Sequence, residues 1–297
     1  MAHTAFIGAG NMGGPMARNL AASGKTVKVF DLSPQAMQVP AQAGAIPSQT
    51  ADAAVQGAAT VVTMLPEGKH VRAAYMNDGG IFDHAEPGTL FIDCSTIDVK
   101  TAREVAAAAK ARGFRMIDAP VSGGTVGADA ATLTFMIGGA EADVEAARPQ
   151  LEKMGKLIVH CGGSGNGQAV KICNNMIGGI AMIAVSEAFS LGQRLGVSVE
   201  DMQKVIASSS GSCVAVTDYL PLPGPTPKSP ANFGYKPGFM TKLMLKDMRL
   251  AQMAAVETGQ PSPLGAQAAM LYAMAEQNGL GDLDFSSIIK LFQKGMV

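Results

Sequence analysis

The chain has 297 residues, the length of two ordinary domains, and is 47% hydrophobic and 16% charged, which excludes a disordered protein. Its formal net charge is −1, and the sequence lacks the basic stripe that is typical of proteins that bind nucleic acid. The four cysteines include no C-x-x-C pair, so we expect no zinc or other metal site and a reducing, cytoplasmic environment. The N-terminus also lacks the charged and apolar regions of a secretory signal.

Short apolar runs alternate with helical stretches in the first half of the chain. The runs cover residues 4–7, 27–30, 61–64, 90–93, 115–118, 133–137 and 157–160. This alternation indicates βαβ units around a parallel sheet, and we expect the last two runs to extend that sheet.

The first run leads directly into a G-x-G-x-x-G motif that precedes a helical stretch. Gly8 allows a tight turn, Gly10 lets a pyrophosphate approach the backbone, and Gly13 lets the helix pack on the strand. Asn11 and Met12 complete this loop, and the free N–H groups of the helix would face the phosphates. The motif therefore predicts a dinucleotide-binding site.

The second run is followed by Asp31, and no arginine comes after it. An acid at this place can accept hydrogen bonds from the adenosine ribose hydroxyls and would repel a 2′-phosphate. The sequence therefore predicts NAD rather than NADP, with an ordinary turn residue as the alternative role of Asp31. Together with the glycine motif, this predicts a Rossmann-type, doubly wound α/β domain over residues 1–162.

The second half of the chain, residues 163–297, has a helical pattern almost to its end and predicts an all-α C-terminal domain. We predict five helices in this domain. Two have predicted bounds, residues 168–195 and 239–258. The other three are predicted from their starts: one follows an N-cap at Ser198, one begins at Pro263 after an N-cap at Ser262, and the last follows an N-cap at Asp284. The proline-rich stretch 221–237 is long for a loop, so we expect it to be functional or packed on a partner subunit.

The first of these helices is long and mostly apolar. It contains Lys171, Asn174, Asn175 and Glu187, which are too many polar groups for a lone segment in lipid. We therefore expect a helix buried in a soluble protein and no membrane partner.

Two polar segments follow predicted strands, where ligands of α/β proteins usually bind. One comprises residues 91–96, at the end of a predicted strand, and the other comprises residues 118–124. In the second segment Ser122 offers a hydroxyl group, and Gly123 and Gly124 offer accessible backbone N–H groups. Such donors suit a substrate carboxylate.

Lys171 lies three residues before Asn174 and four before Asn175, so a helix places all three side chains close together. One interpretation is a hydrogen-bonded cluster between domains, because unpartnered polar groups are unfavourable when buried. The other is a catalytic lysine, since partial burial lowers the pKa of a lysine towards neutrality and hydroxyl oxidation needs a base.

Four ordered motifs resemble those of the β-hydroxyacid dehydrogenase family, and the resemblance covers essentially the whole chain. They are the N-terminal signature at residues 6–13, the substrate motif at 118–124, the catalytic-lysine motif at 165–175 and the late cofactor motif at 242–247. The resemblance implies an NAD-dependent oxidation of a small hydroxyacid by a homodimer or homotetramer.

The resemblance also implies a role for individual residues. Lys171 would be the general acid/base, and Asn175 would orient the substrate with support from Asn174. Ser122, Gly123 and Gly124 would hold the substrate carboxylate. Besides the glycine motif and Asp31, four residues would line or contact the cofactor: Leu65, Pro66, Thr96 and Lys246. For Lys246 the alternative is a solvent-exposed helix charge, because Lys242 and Arg249 lie near it in the sequence.

Within the family, the ending D-F-S-S-I-I-K-L-F and the 221–237 stretch resemble members that act on 3-hydroxyisobutyrate, and this resemblance implies that substrate. Tartronate semialdehyde, serine and 4-hydroxybutyrate are the alternatives, because the same chemistry would serve them. A sugar phosphate is disfavoured by the lack of clustered cations, and imine reduction by the presence of Lys171. A non-catalytic NAD-binding module is disfavoured by the joint presence of Lys171, Asn175 and Ser122.

Overall fold

The computed structural model describes residues 3–293. The chain forms two compact units that divide between Lys171 and Ile172. The predicted domain boundary, between residues 162 and 163, lies earlier, in the loop before a long helix. The units divide later because the first turn of that helix is hydrogen-bonded within the N-terminal unit.

The N-terminal unit contains nine strands among its described residues. They are β1 (His3–Ile7), β2 (Val27–Phe30), β3 (Ile46–Pro47), β4 (Ala58–Thr63), β5 (Leu90–Asp93), β6 (Arg115–Asp118), β7 (Val121–Ser122), β8 (Leu133–Ile137) and β9 (Gly155–His160). The first six form a parallel sheet in the order β3-β2-β1-β4-β5-β6. This order reverses at β1, as expected for the predicted doubly wound fold.

Helices cover both faces of this sheet. Those of the N-terminal unit are α1 (Gly13–Ala22), α2 (Gln38–Ala41), α3 (Ala51–Val55), α4 (Gly68–Met76), α5 (Val99–Ala111), α6 (Gly124–Asp129) and α7 (Glu141–Leu151), with a 3₁₀ turn at Ile81–Asp83. Alternate residues of one strand face opposite sides, because the side chains of a strand point up and down in turn. In β4, for example, Val62 packs with Leu20 of α1, whereas Val61 packs with Tyr75 of α4.

The last two predicted strands do not extend the parallel sheet, so that expectation was wrong. They form β8 and β9, which pair in parallel with each other, and the short strand β7 joins them antiparallel to β8. An isolated bridge between Asp118 and Gly138 connects this small sheet to β6. The antiparallel pairing with the β8 segment continues past Pro120, whose carbonyl accepts from the N–H of Met136 (3.0 Å) although proline itself has no N–H to donate.

The C-terminal unit is helical, as predicted. Its helices are α8 (Asn166–Arg194, which begins in the N-terminal unit), α9 (Val199–Ala207), α10 (Val214–Thr217), α11 (Thr241–Thr258) and α12 (Pro263–Ala275), with 3₁₀ helices at Pro230–Phe233 and Phe285–Leu291. The segment Glu276–Leu280 continues α12 into a kink at Asn278 and Gly279. The core of this unit joins α8, α11 and α12 through large side chains such as Phe189, Met248 and Tyr272.

The predicted helix ends are mostly correct. Ser198 caps α9, since its Oγ accepts a hydrogen bond from the N–H of Asp201 (3.1 Å). Asp284 caps the last helix through the N–H of Ser286 (3.0 Å), although this helix is of the 3₁₀ type. Ser262 precedes Pro263 but does not cap α12, because its Oγ accepts from the side-chain amide of Gln252 (3.1 Å) instead.

The proline-rich stretch 221–237 packs within its own unit. Leu222, Ala231 and Tyr235 are buried in the C-terminal core, and the Tyr235 hydroxyl donates to the backbone carbonyl of Pro221 (2.9 Å). Packing on a partner subunit is therefore not needed to explain the length of this stretch.

Helix α8 is, within residues 3–293, the one helix long and apolar enough to cross a membrane. Helices in the cores of soluble proteins meet the same criterion of length and composition. The chain buries 44% of its most apolar window, while Val170, Ile177 and Leu191 stay exposed. The expectation of a buried helix is thus met only in part.

Candidate active site

Five neighbouring strands of the parallel sheet end in one row. Phe30 lies beside Ile7, Ile7 beside Thr63, Thr63 beside Asp93, and Asp93 beside Asp118. The segments that follow these residues leave the same edge of the sheet, which is where ligands of open α/β sheets bind. They carry most of the site residues that the sequence predicted for the N-terminal unit.

The glycine loop after β1 has the geometry that a pyrophosphate requires. Gly8 has a φ of +94°, and a Cβ there would lie 2.3 Å from the carbonyl oxygen of Met64. A Cβ on Gly13 would lie 1.9 Å from the carbonyl oxygen of Gly8. By contrast, no heavy atom of the described chain lies within 4 Å of a Cβ on Gly10. Gly8 and Gly13 are thus required by packing, and Gly10 leaves room for a ligand.

Helix α1 begins at Gly13, and none of the described side chains caps its N-terminus. Asn11 is exposed and Met12 half-buried just before this first turn. An uncapped helix N-terminus attracts anions through its N–H groups and its dipole. The loop and helix therefore fit the pyrophosphate of a dinucleotide.

Asp31 follows β2 and is held against the glycine loop. Its Oδ2 accepts from the N–H of Ala9 (2.7 Å), and its Oδ1 accepts from the N–H of Ser33 (2.8 Å). Each carboxylate oxygen has a further lone pair. Asp31 can therefore accept hydrogen bonds from ribose hydroxyls without giving up these contacts.

A buried carboxylate links the segments after β4 and β5. Oδ1 of Asp93 accepts from the hydroxyls of Thr63 (2.7 Å) and Ser95 (2.6 Å). The Oγ of Ser95 in turn accepts from the N–H of Leu65 (2.8 Å). Burial raises the pKa of Asp93, and these hydrogen bonds oppose the rise. The network thus holds the backbone of Leu65, which precedes the exposed Pro66, and it holds Ser95, which precedes Thr96.

Asp118, at the end of β6, holds the start of α8. Its Oδ1 accepts from the N–H of Gly165 (2.7 Å) and its Oδ2 from the N–H of Gln168 (3.0 Å). Burial raises the pKa of Asp118 to about 6, and the backbone hydrogen bonds limit the rise. Asp118 belongs to the predicted substrate motif, but the sequence indicates no role for it.

Gln168 is a second residue that sequence reasoning missed. Its side chain is fully buried, its Oε1 accepts from the N–H of Ile97 (3.1 Å), and its Nε2 donates to the carbonyl of Ser95 (2.7 Å). The signal available in the sequence was a long amide among apolar residues of a predicted helix. It indicates a buried partner without identifying it.

Lys171 lies one turn further along α8 and is buried, with 7% of its surface exposed. Asn175 is also buried, whereas Asn174 is exposed and donates from its Nδ2 to Oδ1 of Asn175 (3.0 Å). Residues four apart share one face of a helix. The arrangement therefore places a buried amine and a buried amide on the same face of α8.

In the C-terminal unit, Asp247 of α11 brings two predicted site residues together. Its Oδ2 accepts from the Nδ2 of Asn175 (2.5 Å), and its Oδ1 lies 3.2 Å from the Nζ of Lys246. Asp247 is almost fully buried, while the Lys246 side chain is 23% exposed. Lys246 is therefore ion-paired rather than simply solvated, and Asp247 is a third residue that the sequence reasoning left without a role.

The predicted carboxylate-binding segment follows β6 directly. Ser122 lies in β7 beside Thr134 of β8, and Gly123 and Gly124 have φ values of +133° and +61°. This left-handed region favours glycine. Gly123 is exposed, so the backbone of this segment is accessible to a ligand.

Comparisons with known proteins agree with this geometry. Residues 3–163 match the family model described as the NAD-binding domain of 6-phosphogluconate dehydrogenase, and residues 165–292 match the one described as NAD-binding of NADP-dependent 3-hydroxyisobutyrate dehydrogenase. A probable 3-hydroxyisobutyrate dehydrogenase of Mycobacterium bovis is 48% identical over 97% of both chains. An NAD-dependent L-serine dehydrogenase of Pseudomonas aeruginosa is 45% identical over 98% of both chains.

A solved structure is also similar to this chain over its whole length. The 3-hydroxyisobutyrate dehydrogenase of Mycobacterium tuberculosis, solved with L-serine, superimposes with a TM-score of 0.93 at 48% identity and covers 99% of this chain and 100% of its own. NAD is therefore the cofactor of this enzyme. The chain belongs to the β-hydroxyacid dehydrogenase family and is an NAD-dependent hydroxyacid dehydrogenase.

Proposed function

We propose that the enzyme oxidises the hydroxyl group of 3-hydroxyisobutyrate to give methylmalonate semialdehyde, a step of valine breakdown. The main support is the anchoring of α8. Asp118 and Gln168 attach its first turn to the same strand ends that carry the cofactor residues, and Lys171 follows one turn later. A buried amine at that place is suited to proton transfer.

In the proposed reaction the hydroxyl carbon loses a hydride and the hydroxyl oxygen loses a proton. NAD, when bound, accepts the hydride. The Nζ of Lys171 accepts the proton, and Ser122 with the backbone of Gly123 and Gly124 holds the carboxylate. Asn175 orients the substrate, and its own amide is fixed by Asp247. Fixed donors and acceptors of this kind lower the barrier by holding the reactants in a reactive geometry.

L-Serine is a second candidate substrate. One relative at 45% identity is named an NAD-dependent L-serine dehydrogenase, and the solved relative contains L-serine. Both substrates have a primary alcohol on the carbon next to the one that bears the carboxylate. They differ at that second carbon, where 3-hydroxyisobutyrate has a methyl group and serine an ammonium group. The same proton and carboxylate contacts would serve both.

A panel of hydroxyacids tests the proposal. NADH formation is followed at 340 nm with 3-hydroxyisobutyrate, L-serine, glycerate and 4-hydroxybutyrate, each with NAD and with NADP. We expect the highest kcat/KM for 3-hydroxyisobutyrate with NAD. A higher value for another hydroxyacid would move the enzyme to that substrate. Intact NADH binding without turnover of any of them would instead favour a non-catalytic module.

We also propose that the enzyme works in the cytoplasm as a homodimer or homotetramer. Helix α12 exposes Leu264, Met270 and Met274, which is unfavourable for an isolated chain. Contacts between copies would cover such side chains. Light scattering measures the assembly directly, and a monomer at micromolar concentration would contradict the proposal.

A further inference from the structure

The side-chain amide of Gln168 is joined to the backbone on both sides of Thr96. It accepts from the N–H of Ile97 and donates to the carbonyl of Ser95, at 3.1 and 2.7 Å. Thr96 itself is half-exposed between these two buried neighbours. Gln168 therefore fixes the path of the backbone through Thr96, which is expected to line the cofactor.

The backbone of Gln168 is fixed as well. Its N–H donates to Oδ2 of Asp118, whose Oδ1 accepts from the N–H of Gly165. Added side chains at Gly167 or Gly138 would lie within 2.8 Å of the Asp118 carboxylate, so the first turn of α8 is closely packed on β6. One residue thus connects the ends of β5 and β6 with the helix that carries Lys171.

We infer that Gln168 is a positioning residue that holds the Thr96 backbone and the Lys171 turn of α8 in one fixed geometry for hydride and proton transfer. The inference rests on the proposed role of Lys171. Gln168 touches neither substrate nor reacting atoms in this role. It acts through Ser95 and Ile97 on one side and through the helix on the other.

Gln168→Met removes both side-chain hydrogen bonds at almost constant volume. The N–H of Ile97 and the carbonyl of Ser95 then lack their buried partners, which favours local opening of this segment. We expect the Kd for NADH to rise about tenfold. We also expect kcat to fall about a hundredfold, as when reacting groups are displaced by about 1 Å.

Gln150→Met is the matched control. Gln150 is a half-buried amide of α7 whose Nε2 donates to the hydroxyl of Thr60 (3.3 Å) in the same unit. The substitution is identical but lies outside the strand-end row. Gln150→Met should leave the Kd for NADH and kcat within twofold of the unmodified enzyme.

Gln168→Glu is a second variant that tests the donor at Nε2. A glutamic acid can accept from Ile97, but it donates to the Ser95 carbonyl only when protonated. The Kd ratio between Gln168→Glu and the unmodified enzyme should therefore approach one as the pH falls. Asp93 and Asp118 lie nearby in both proteins, so the unmodified enzyme is the reference at each pH.

Hydrogen exchange on the enzyme without cofactor gives a readout besides activity. Peptides that contain residues 95–97 should exchange faster in Gln168→Met than in Gln150→Met at equal global stability. Equal exchange in these peptides, with an unchanged Kd for NADH, would overturn the inference.

Lys171→Ala separates this result from the proposed function. If Lys171→Ala keeps near-normal turnover, the proposed function fails whatever Gln168 does. If Lys171→Ala loses turnover while Gln168→Met behaves like the control, only the inference about Gln168 fails. Should Gln168→Met not fold, Gln168→Glu at low and high pH decides the question, because a pH-independent Kd ratio would overturn the inference.

Discussion

Two glycines of the same loop should respond in opposite ways to alanine substitution. In Gly13→Ala the new Cβ would lie 1.9 Å from the carbonyl oxygen of Gly8 and 3.1 Å from the ring of Phe6. Backbone atoms on one side leave little room for adjustment, so α1 must move off the sheet. Overpacking of this kind costs about 3 kcal/mol. This lowers the Tm of a unit of this size by roughly 6 to 12 °C.

Gly10→Ala should leave the fold intact, because the Cβ meets no described heavy atom within 4 Å. The methyl group would instead occupy the space through which the pyrophosphate approaches. We expect an unchanged Tm without cofactor and a Kd for NADH that rises at least tenfold, or about 1.4 kcal/mol.

Thermal unfolding without cofactor and NADH fluorescence titration measure these two effects separately. An unchanged Tm in Gly13→Ala would contradict the packing argument. Tight NADH binding by Gly10→Ala would contradict the placement of the pyrophosphate.

Three further predictions concern single contacts. Asp31→Ala should lower the preference for NAD over NADP, because no charge then opposes the 2′-phosphate of NADP. Steady-state kinetics with both cofactors measures this preference. An unmodified enzyme that prefers NADP would refute the prediction. Asp118 has a native pKa of about 6, against an ordinary value of 3.8 for this carboxyl group, so the native state binds the proton more tightly than the unfolded state. The contribution of Asp118 to the free energy of unfolding should therefore fall by about 3 kcal/mol as the pH rises from roughly 4 to 6. Urea unfolding at several pH values measures this, and the Asp118→Asn variant should lack this fall. Ser198→Ala should lower the free energy of unfolding by about 1 kcal/mol through loss of the α9 cap, with kcat unchanged.

Local patterns were sufficient to predict five of the six strands of the parallel sheet, but not the two-residue strand β3. Runs such as Val27–Phe30 and Leu90–Asp93 match strands residue for residue, because β-branched and aromatic residues bounded by polar segments favour the strand conformation. The end of α11 was equally predictable, since Gly259 adopts the left-handed conformation (φ +67°) that ends many helices.

Pairing between distant segments was not predictable in the same way. Nothing local distinguishes β8 from a strand of the main sheet, because its burial pattern depends on which strand lies beside it. Pro120 is visible in the sequence, but the antiparallel pairing of the segment around it with β8 is not. Proline removes one backbone donor but does not determine the path of the chain beyond it.

The residues expected to bind ligand were identified through motifs, whereas those that hold them in place were not. Gln168 contacts backbone groups more than seventy residues away, and Asp247 accepts from the side-chain amide of Asn175, which is 72 residues away. A buried polar side chain must have a partner, but the sequence does not identify it. The support of the site is therefore a tertiary property that only the folded chain reveals.

The role of Lys171 is the central claim, and Lys171→Ala tests it most directly. The measurement is kcat with the preferred hydroxyacid, on protein whose Tm and Kd for NADH match those of the unmodified enzyme. Removal of a general base typically lowers the rate by 10² to 10⁴. We predict a loss of at least about a hundredfold. A folded, NADH-binding Lys171→Ala enzyme with near-normal kcat would contradict the account.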